Sequence, residues 1–170
     1  TKAADGTRLC DGNDGWEQVT TDICALHDYA DNKDTIAQHF ANRSEVETHA
    51  CDWRPCYANA EKPTGQEAFM VTEYGGIAFE NIGIQGEMGG MQTWGYHGKV
   101  TDEEAFFARF KAVTDGVREI PYCQGYCYTQ LTDVMQEING LLTPDRKPKM
   151  DVERVRAINQ NALGRTNQLT

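Results

Sequence analysis

Two short runs, Ile23-Cys24-Ala25-Leu26-His27 and Ala68-Phe69-Met70-Val71-Thr72-Glu73, constrain this chain more than anything else in it. Each is continuously apolar and then turns abruptly polar. A strand with one wet face alternates apolar and polar residues, whereas a continuous run suits a strand buried on both faces, as in parallel sheets covered by helices. Arg8-Leu9-Cys10-Asp11 and Gly125-Tyr126-Cys127-Tyr128-Thr129 complete a set of four strand-like segments. Helical stretches separate them. One is expected over Lys33 to Val46, after Asp31 and Asn32. In a second, Thr101-Asp102-Glu103-Glu104 has the form of a capping box, with Thr101 at the N-cap. Phe106, Phe110, Val113 and Val117 then recur at helical spacing, and Pro121 closes the unit. A last helix is expected from about Val152 to Gln160, after the turn Thr143-Pro144-Asp145. Strand and helix in alternation predict an α/β fold with a parallel sheet.

The 170 residues suit one compact domain, and a net charge of −10 excludes the usual nucleic-acid and anionic-membrane partners. No apolar run approaches the roughly 18 residues of a membrane span. No signal peptide is visible from Thr1 onward, and the chain is expected to be cytoplasmic. Cysteines stand at 10, 24, 51, 56, 123 and 127. There is no C-x-x-C, and Cys123 and Cys127, read as one strand, would lie roughly 13 Å apart. All are therefore expected to be reduced, with Cys10, Cys24 and Cys127 filling buried strand positions. His27, His39, His49 and His97 lack zinc-motif spacing, so neither a metal nor a cofactor is expected.

The carboxyl ends of the four segments carry the chemistry. The first runs into Asp11-Gly12-Asn13-Asp14-Gly15-Trp16-Glu17, the second ends His27-Asp28-Tyr29, and the third ends Thr72-Glu73-Tyr74-Gly75-Gly76. The fourth ends Tyr128-Thr129-Gln130, with Asp133 beyond. Polar groups gathered at one end of a parallel sheet mark an active face, and carboxylates beside Trp and Tyr suit a sugar. Gly75 to Gly98 holds eight glycines together with Trp94 and Tyr96, near Met70, Met88 and Met91, and reads as a loop built for a site. Ala50 to Glu67 reads as a polar connection. Plain structural readings stand beside these: Tyr29 as a core residue, His27 as a loop cap, Trp16 and Trp94 as packing, and Asp14 and Glu17 as loop carboxylates.

Read together, several runs resemble the family 2 glycoside hydrolases, which include β-galactosidases and β-glucuronidases. They are Asn13-Asp14-Gly15-Trp16-Glu17, Asp22-Ile23 leading to His27-Asp28-Tyr29, Thr72 through Phe79, Gln124 through Val134, and Asn139 through Lys149. The resemblance implies an α/β (β/α)8 TIM barrel, with residues 1–170 as its carboxyl-terminal half, strands five to eight. It implies Glu73 as catalytic nucleophile and Tyr29 as the tyrosine that contacts it. His27, Asp28, Trp94 and Tyr128 are expected to bind substrate, Tyr128 standing where the family often has a tryptophan under the sugar.

Departures from the family pattern shape the remaining expectations. The family's acid/base glutamate follows an asparagine on strand four, and no Asn-Glu dipeptide occurs here. The first half-barrel and the sandwich domains are absent too, so this chain alone is expected to be inactive on ordinary β-glycosides. Glu137 and Asn139 replace an Asn-x-Lys motif that reads a uronic acid, which favours a neutral sugar such as galactose. Open strand edges predict a homo-oligomer or a complementary half-barrel as partner. The alternative function is a non-catalytic carbohydrate-binding or structural module.

Overall fold

A computed structural model describes residues 1–48, 54–58, 64–80 and 92–163. His49, Cys51, Met88, Met91 and much of the Ala50–Glu67 connection lie outside the described residues. The element order is β1 (Ile23–Asp28), α1 (Lys33–His39), α2 (Arg43–Thr48), β2 (Ala68–Gly75), β3 (Ile77–Phe79), β4 (Tyr96–Val100), α3 (Glu103–Arg118), β5 (Gly125–Thr129) and α4 (Val152–Leu163). β1, β2 and β5 form one parallel sheet with β2 in the centre, and β3 and β4 form a second, two-stranded parallel sheet. The domain is thus mixed α/β with parallel sheets.

Three of the four expected strands are present, in order and parallel. Arg8–Asp11 is not a strand. Leu9 is 68% exposed, and the Cys10 amide is taken by the Asp22 carboxylate at 2.8 Å rather than by a neighbouring strand. The Gly75–Gly98 segment, expected as a loop, instead supplies β3 and the start of β4 at its two ends. The expected helix over 33–46 is two helices. The Asn42 side chain accepts from the Ser44 amide at 3.1 Å, a local bond that ends one helix and starts the next. At α3 the N-cap is Asp102, not Thr101: its carboxylate accepts from the Ala105 amide at 2.8 Å, and Glu104 turns outward to Arg154.

The apolar stripe on α3 is buried as its spacing requires. Phe106, Phe110, Val113 and Val117 face the sheet and α1, and Ile36 and Phe40 join them. Phe69 points into the same layer, edge-on to Phe40 and Tyr122. No disulfide joins the described cysteines. Cys24 is buried with its sulfur 3.5 Å from that of Cys56. Cys127, by contrast, is exposed and Cys10 only partly buried, because β5 is an edge strand and 8–11 is no strand at all.

One irregularity decides what the sheet presents. Opposite Leu26 and His27, the register of β2 skips Thr72: Leu26 pairs with Val71 but His27 with Glu73. Phe69 and Val71 are buried, and strict alternation would send Glu73 the same way. With the bulge, Tyr74 takes the helix-facing place, its hydroxyl 3.0 Å from Thr114 of α3, and Glu73 turns to the opposite side.

The segment from 130 to 150 is folded on itself around a buried ion pair. Lys149, 1% exposed, donates to Asp133 and to the Ile138 carbonyl, both at 2.8 Å, while Asp133 also accepts from the Gly140 amide. Removing one partner of a buried pair costs far more than the pair contributes. Asp133→Asn is expected to lower the unfolding free energy by about 3–5 kcal/mol, read from urea denaturation. A loss under about 1 kcal/mol would show that Lys149 is held without that carboxylate.

Candidate functional site

Parallel pairing brings the carboxyl ends of β1 and β2 side by side. Tyr29, just past β1, donates its hydroxyl to Glu73 Oε2 at 2.5 Å, and the same phenolic oxygen lies 3.2 Å from His27 Nδ1. A hydroxyl has one proton to give. Since Glu73 receives it, the oxygen accepts from His27, so Nδ1 carries a hydrogen. His27 Nδ1 is 3.7 Å from Glu73 Oε2, and the Glu73 side chain is 35% exposed, so the carboxylate is both held and reachable.

The loop after residue 10 closes one side. Thr72 donates to Asp14 Oδ1 at 2.5 Å, and that oxygen lies 3.4 Å from His27 Nε2. Trp16 packs edge-on to the His27 ring at 4.9 Å. Gly15 permits the approach: its φ is +91°, and a Cβ there would sit 2.7 Å from the imidazole. Amides of Glu17 and Gln18 donate to carbonyls of Pro55 and Cys56, which anchors the loop.

Aromatic rings close the other side. Tyr29 stacks on Tyr96 with centroids 3.7 Å apart and planes 2° from parallel, and Trp94 meets Tyr96 edge-on at 5.9 Å. Trp94 is 44% exposed, so the row ends in an open indole face. Gly76, with φ +59°, makes the stack possible, because a Cβ there would meet the Tyr96 ring at 2.2 Å.

Charge follows from this packing. Burial first, and then the hydrogen bond to Glu73, push the Tyr29 phenol well above its ordinary value, so it stays a donor. Burial and the neighbouring Asp14 charge push the Asp11 carboxyl up. A carboxylate supported by a buried donor, open on one side and flanked by flat rings, can attack an electrophilic carbon of a polar ligand whose apolar face rests on the aromatics. Asp14, His27 and Glu73 also each offer a ligand atom, all within 4.8 Å of one another, the one such metal-capable group among the described residues.

Of the sequence-predicted site residues, the structure unites Glu73, Tyr29 and His27, and reaches Trp94 through Tyr96. It does not bring in Asp28. That carboxylate is buried, bonded to the Ala30 amide at 2.8 Å and to His39 Nδ1 at 2.6 Å. Tyr128 is packed edge-on against Tyr74 and Phe110 rather than laid open as a platform. Sequence reasoning left Asp14 as a loop carboxylate and gave Tyr96 no role. The glycine beside each, Gly15 and Gly95, was the only local signal.

No protein-family model matches the chain, and no curated protein matches it. Among solved structures, Bifidobacterium dentium β-glucuronidase complexed with coumarin-3-O-glucuronide is similar, with a TM-score of 0.50 and 17% identity over 86% of this chain. Faecalibacterium prausnitzii β-glucuronidase gives a TM-score of 0.49 at 16% identity over 84% of this chain. The chain spans 22% of the length of each. At such identity the likeness is one of fold.

Two outcomes follow from the geometry. Gly76→Ala is expected to cost about 1–3 kcal/mol in urea unfolding and to diminish the near-ultraviolet circular dichroism of the Tyr29–Tyr96 stack. An unchanged spectrum would mean the rings do not depend on that glycine. The second concerns pH. Below about 10, Tyr29 is protonated both folded and unfolded, so its contribution to stability is complete. Above that, the unfolded phenol releases its proton while the folded one does not, and stability falls as pH rises. Tyr29→Phe removes this phenol from the balance, so the fall above pH 10 should be shallower than in the parent chain by up to about 1.4 kcal/mol per pH unit. An equal slope would mean that the folded Tyr29 releases its proton as readily as the unfolded one.

Proposed function

We propose that this chain supplies the nucleophilic half of a retaining β-glycosidase acting on terminal β-linked neutral sugars, β-galactosides in particular. One observation carries the reading: the Tyr29 hydroxyl bonded to Glu73 at the ends of two adjacent parallel strands. In such a reaction Glu73 attacks the anomeric carbon, a second carboxyl group protonates the departing oxygen, and water then releases the sugar from Glu73. The nucleophile must be ionised, and the Tyr29 hydroxyl donates to it and holds it in place. His27, through its Nδ1–H, orients the phenol. Trp94 and Tyr96 offer faces for the sugar or for what it is attached to.

The fold likeness to a β-glucuronidase supports a glycosidase, and also the assignment of β1, β2 and β5 to strands six, seven and eight of a barrel of which the chain is the second half. Residues 8–11 then stand at the place of strand five. Glu137 supports the neutral sugar: its carboxylate accepts from Asn139 at 2.9 Å, and a negative group there repels a uronic acid. No Asn-Glu dipeptide supplies the acid. Asp14 is near Glu73, yet its side chain is 55% exposed and is engaged by the Thr72 hydroxyl. The partner is a complementary half-barrel or a second copy covering the open edges of β1 and β5. No described helix is long and apolar enough to cross a membrane.

A non-catalytic carbohydrate-binding module is the second reading, favoured by the aromatic row of Tyr29, Tyr96 and Trp94, which needs no acid to hold a sugar. Incubation with a dinitrophenyl 2-fluoro-galactoside, in EDTA, separates the two. The glycosidase reading expects one covalent sugar on Glu73, found by peptide mass spectrometry once the complementary half is supplied and absent in Glu73→Gln. Saturable binding without any adduct would leave only the module. Lactose should be left intact by the chain alone, because the missing acid is worth about 10²–10⁴-fold. Robust cleavage would show the acid to be present after all.

A further inference from the structure

The His27 ring poses a problem that the glycosidase chemistry does not solve. Its side chain is 9% exposed, and Nε2 has no hydrogen-bond partner. The bond from Tyr29 to Glu73 leaves the phenolic oxygen as an acceptor, so the hydrogen of the neutral ring sits on Nδ1 and Nε2 presents a lone pair. That lone pair faces Asp14 Oδ1 at 3.4 Å. Two acceptors face each other, the imidazole buried and the carboxylate open to solvent, with Glu73 beside them and Asp11 close enough for its carboxyl to feel the charge of Asp14. A cation between them would satisfy both.

We propose that Asp14, His27 and Glu73 form a binding site for a divalent transition-metal ion of the Zn2+ type. One imidazole and two carboxylates suit such ions better than Mg2+ or Ca2+, which prefer all-oxygen shells. With ligand bonds of about 2.0–2.2 Å, neighbouring ligand atoms of a tetrahedral ion lie about 3.3–3.5 Å apart. His27 Nε2 and Asp14 Oδ1 already stand at 3.4 Å. Glu73 has its ligand oxygen within 4.8 Å of the others and closes the remainder by side-chain rotation. Outer partners are in place as well: Nδ1–H on the Tyr29 oxygen fixes the tautomer, and Thr72 orients Asp14. The fourth position is left to water. A metal there masks the Glu73 carboxylate, so it acts as a reversible block on the reaction proposed above. That consequence rests on the glycosidase reading, whereas the site itself does not.

The test is titration calorimetry of the whole chain with Zn2+ and no sugar present, followed by Co2+ absorption spectra, since exposed Cys127 is a competing ligand. Expected are one ion per chain, at least about tenfold weaker binding in Asp14→Asn and in His27→Gln, and a Co2+ spectrum free of thiolate charge transfer. Asp14 is on the surface, so its variant reports even where His27→Gln fails to fold. Equal affinity in Asp14→Asn, a thiolate band, or no binding below millimolar Zn2+ each overturns the proposal. Sugar labelling in EDTA stands or falls separately, so the two failures cannot be confused.

Discussion

The site depends on one displaced residue in the central strand. Without the skip at Thr72, the alternation that buries Phe69 and Val71 against the helices would bury Glu73 with them. A carboxylate in an apolar layer either takes up a proton or destabilises the fold. The bulge avoids this by handing the inward place to Tyr74, whose hydroxyl finds Thr114, and by releasing both Thr72 and Glu73 to the other side. Two neighbouring side chains then share one face, and each engages a different wall of the cleft: Thr72 the Asp14 loop, Glu73 the Tyr29 phenol. Bulges of this kind re-aim side chains beside active sites.

From that point a single directed chain of hydrogen bonds orders the polar groups. His27 donates to Tyr29, and Tyr29 donates to Glu73. Each of these donors is spoken for, and the imidazole Nε2 is left facing Asp14. Aromatic rings flank these bonds on two sides. Tyr96 covers one face of Tyr29, and Trp16 covers the edge of His27. The proposed reactivity at Glu73 and the proposed cation site at Asp14 therefore draw on the same arrangement.

Short backbone bonds hold loops that carry little apolar surface of their own. Residues 10 and 22 are clasped by the Asp22 carboxylate and amide, and Gln18 runs parallel to Tyr57 through three amide–carbonyl bonds between 17–18 and 55–58. On the opposite flank, Trp94 exchanges backbone bonds with Gln136 and Ile138, so the Lys149–Asp133 pair and the indole face belong to one connected segment. Burial of the ammonium lowers the proton affinity of Lys149, and the Asp133 carboxylate opposes that shift. Losing the pair should loosen the same segment that positions Trp94.

Continuous apolar runs were enough to place β1 and β2, and the aromatic stripe of α3 was enough to place its buried face, because burial against a covering layer is written directly into residue type. The polar turn at the end of each run was enough to single out Glu73, Tyr29 and His27. What the sequence could not fix depends on contacts between distant segments. Asp28 sits beside His27 in the chain, but His39 captures its carboxylate. Tyr128 has the residue type of a sugar platform, but Tyr74 and Phe110 take its faces. Asp14 and Tyr96 join the site only because Gly15 and Gly76 let backbone and ring approach closely. The sequence by itself determined the three strands of the main sheet and singled out the carboxylate at the end of the central one; tertiary structure alone decided which side that carboxylate faces, since one skipped residue in a pairing register leaves no mark on composition or period.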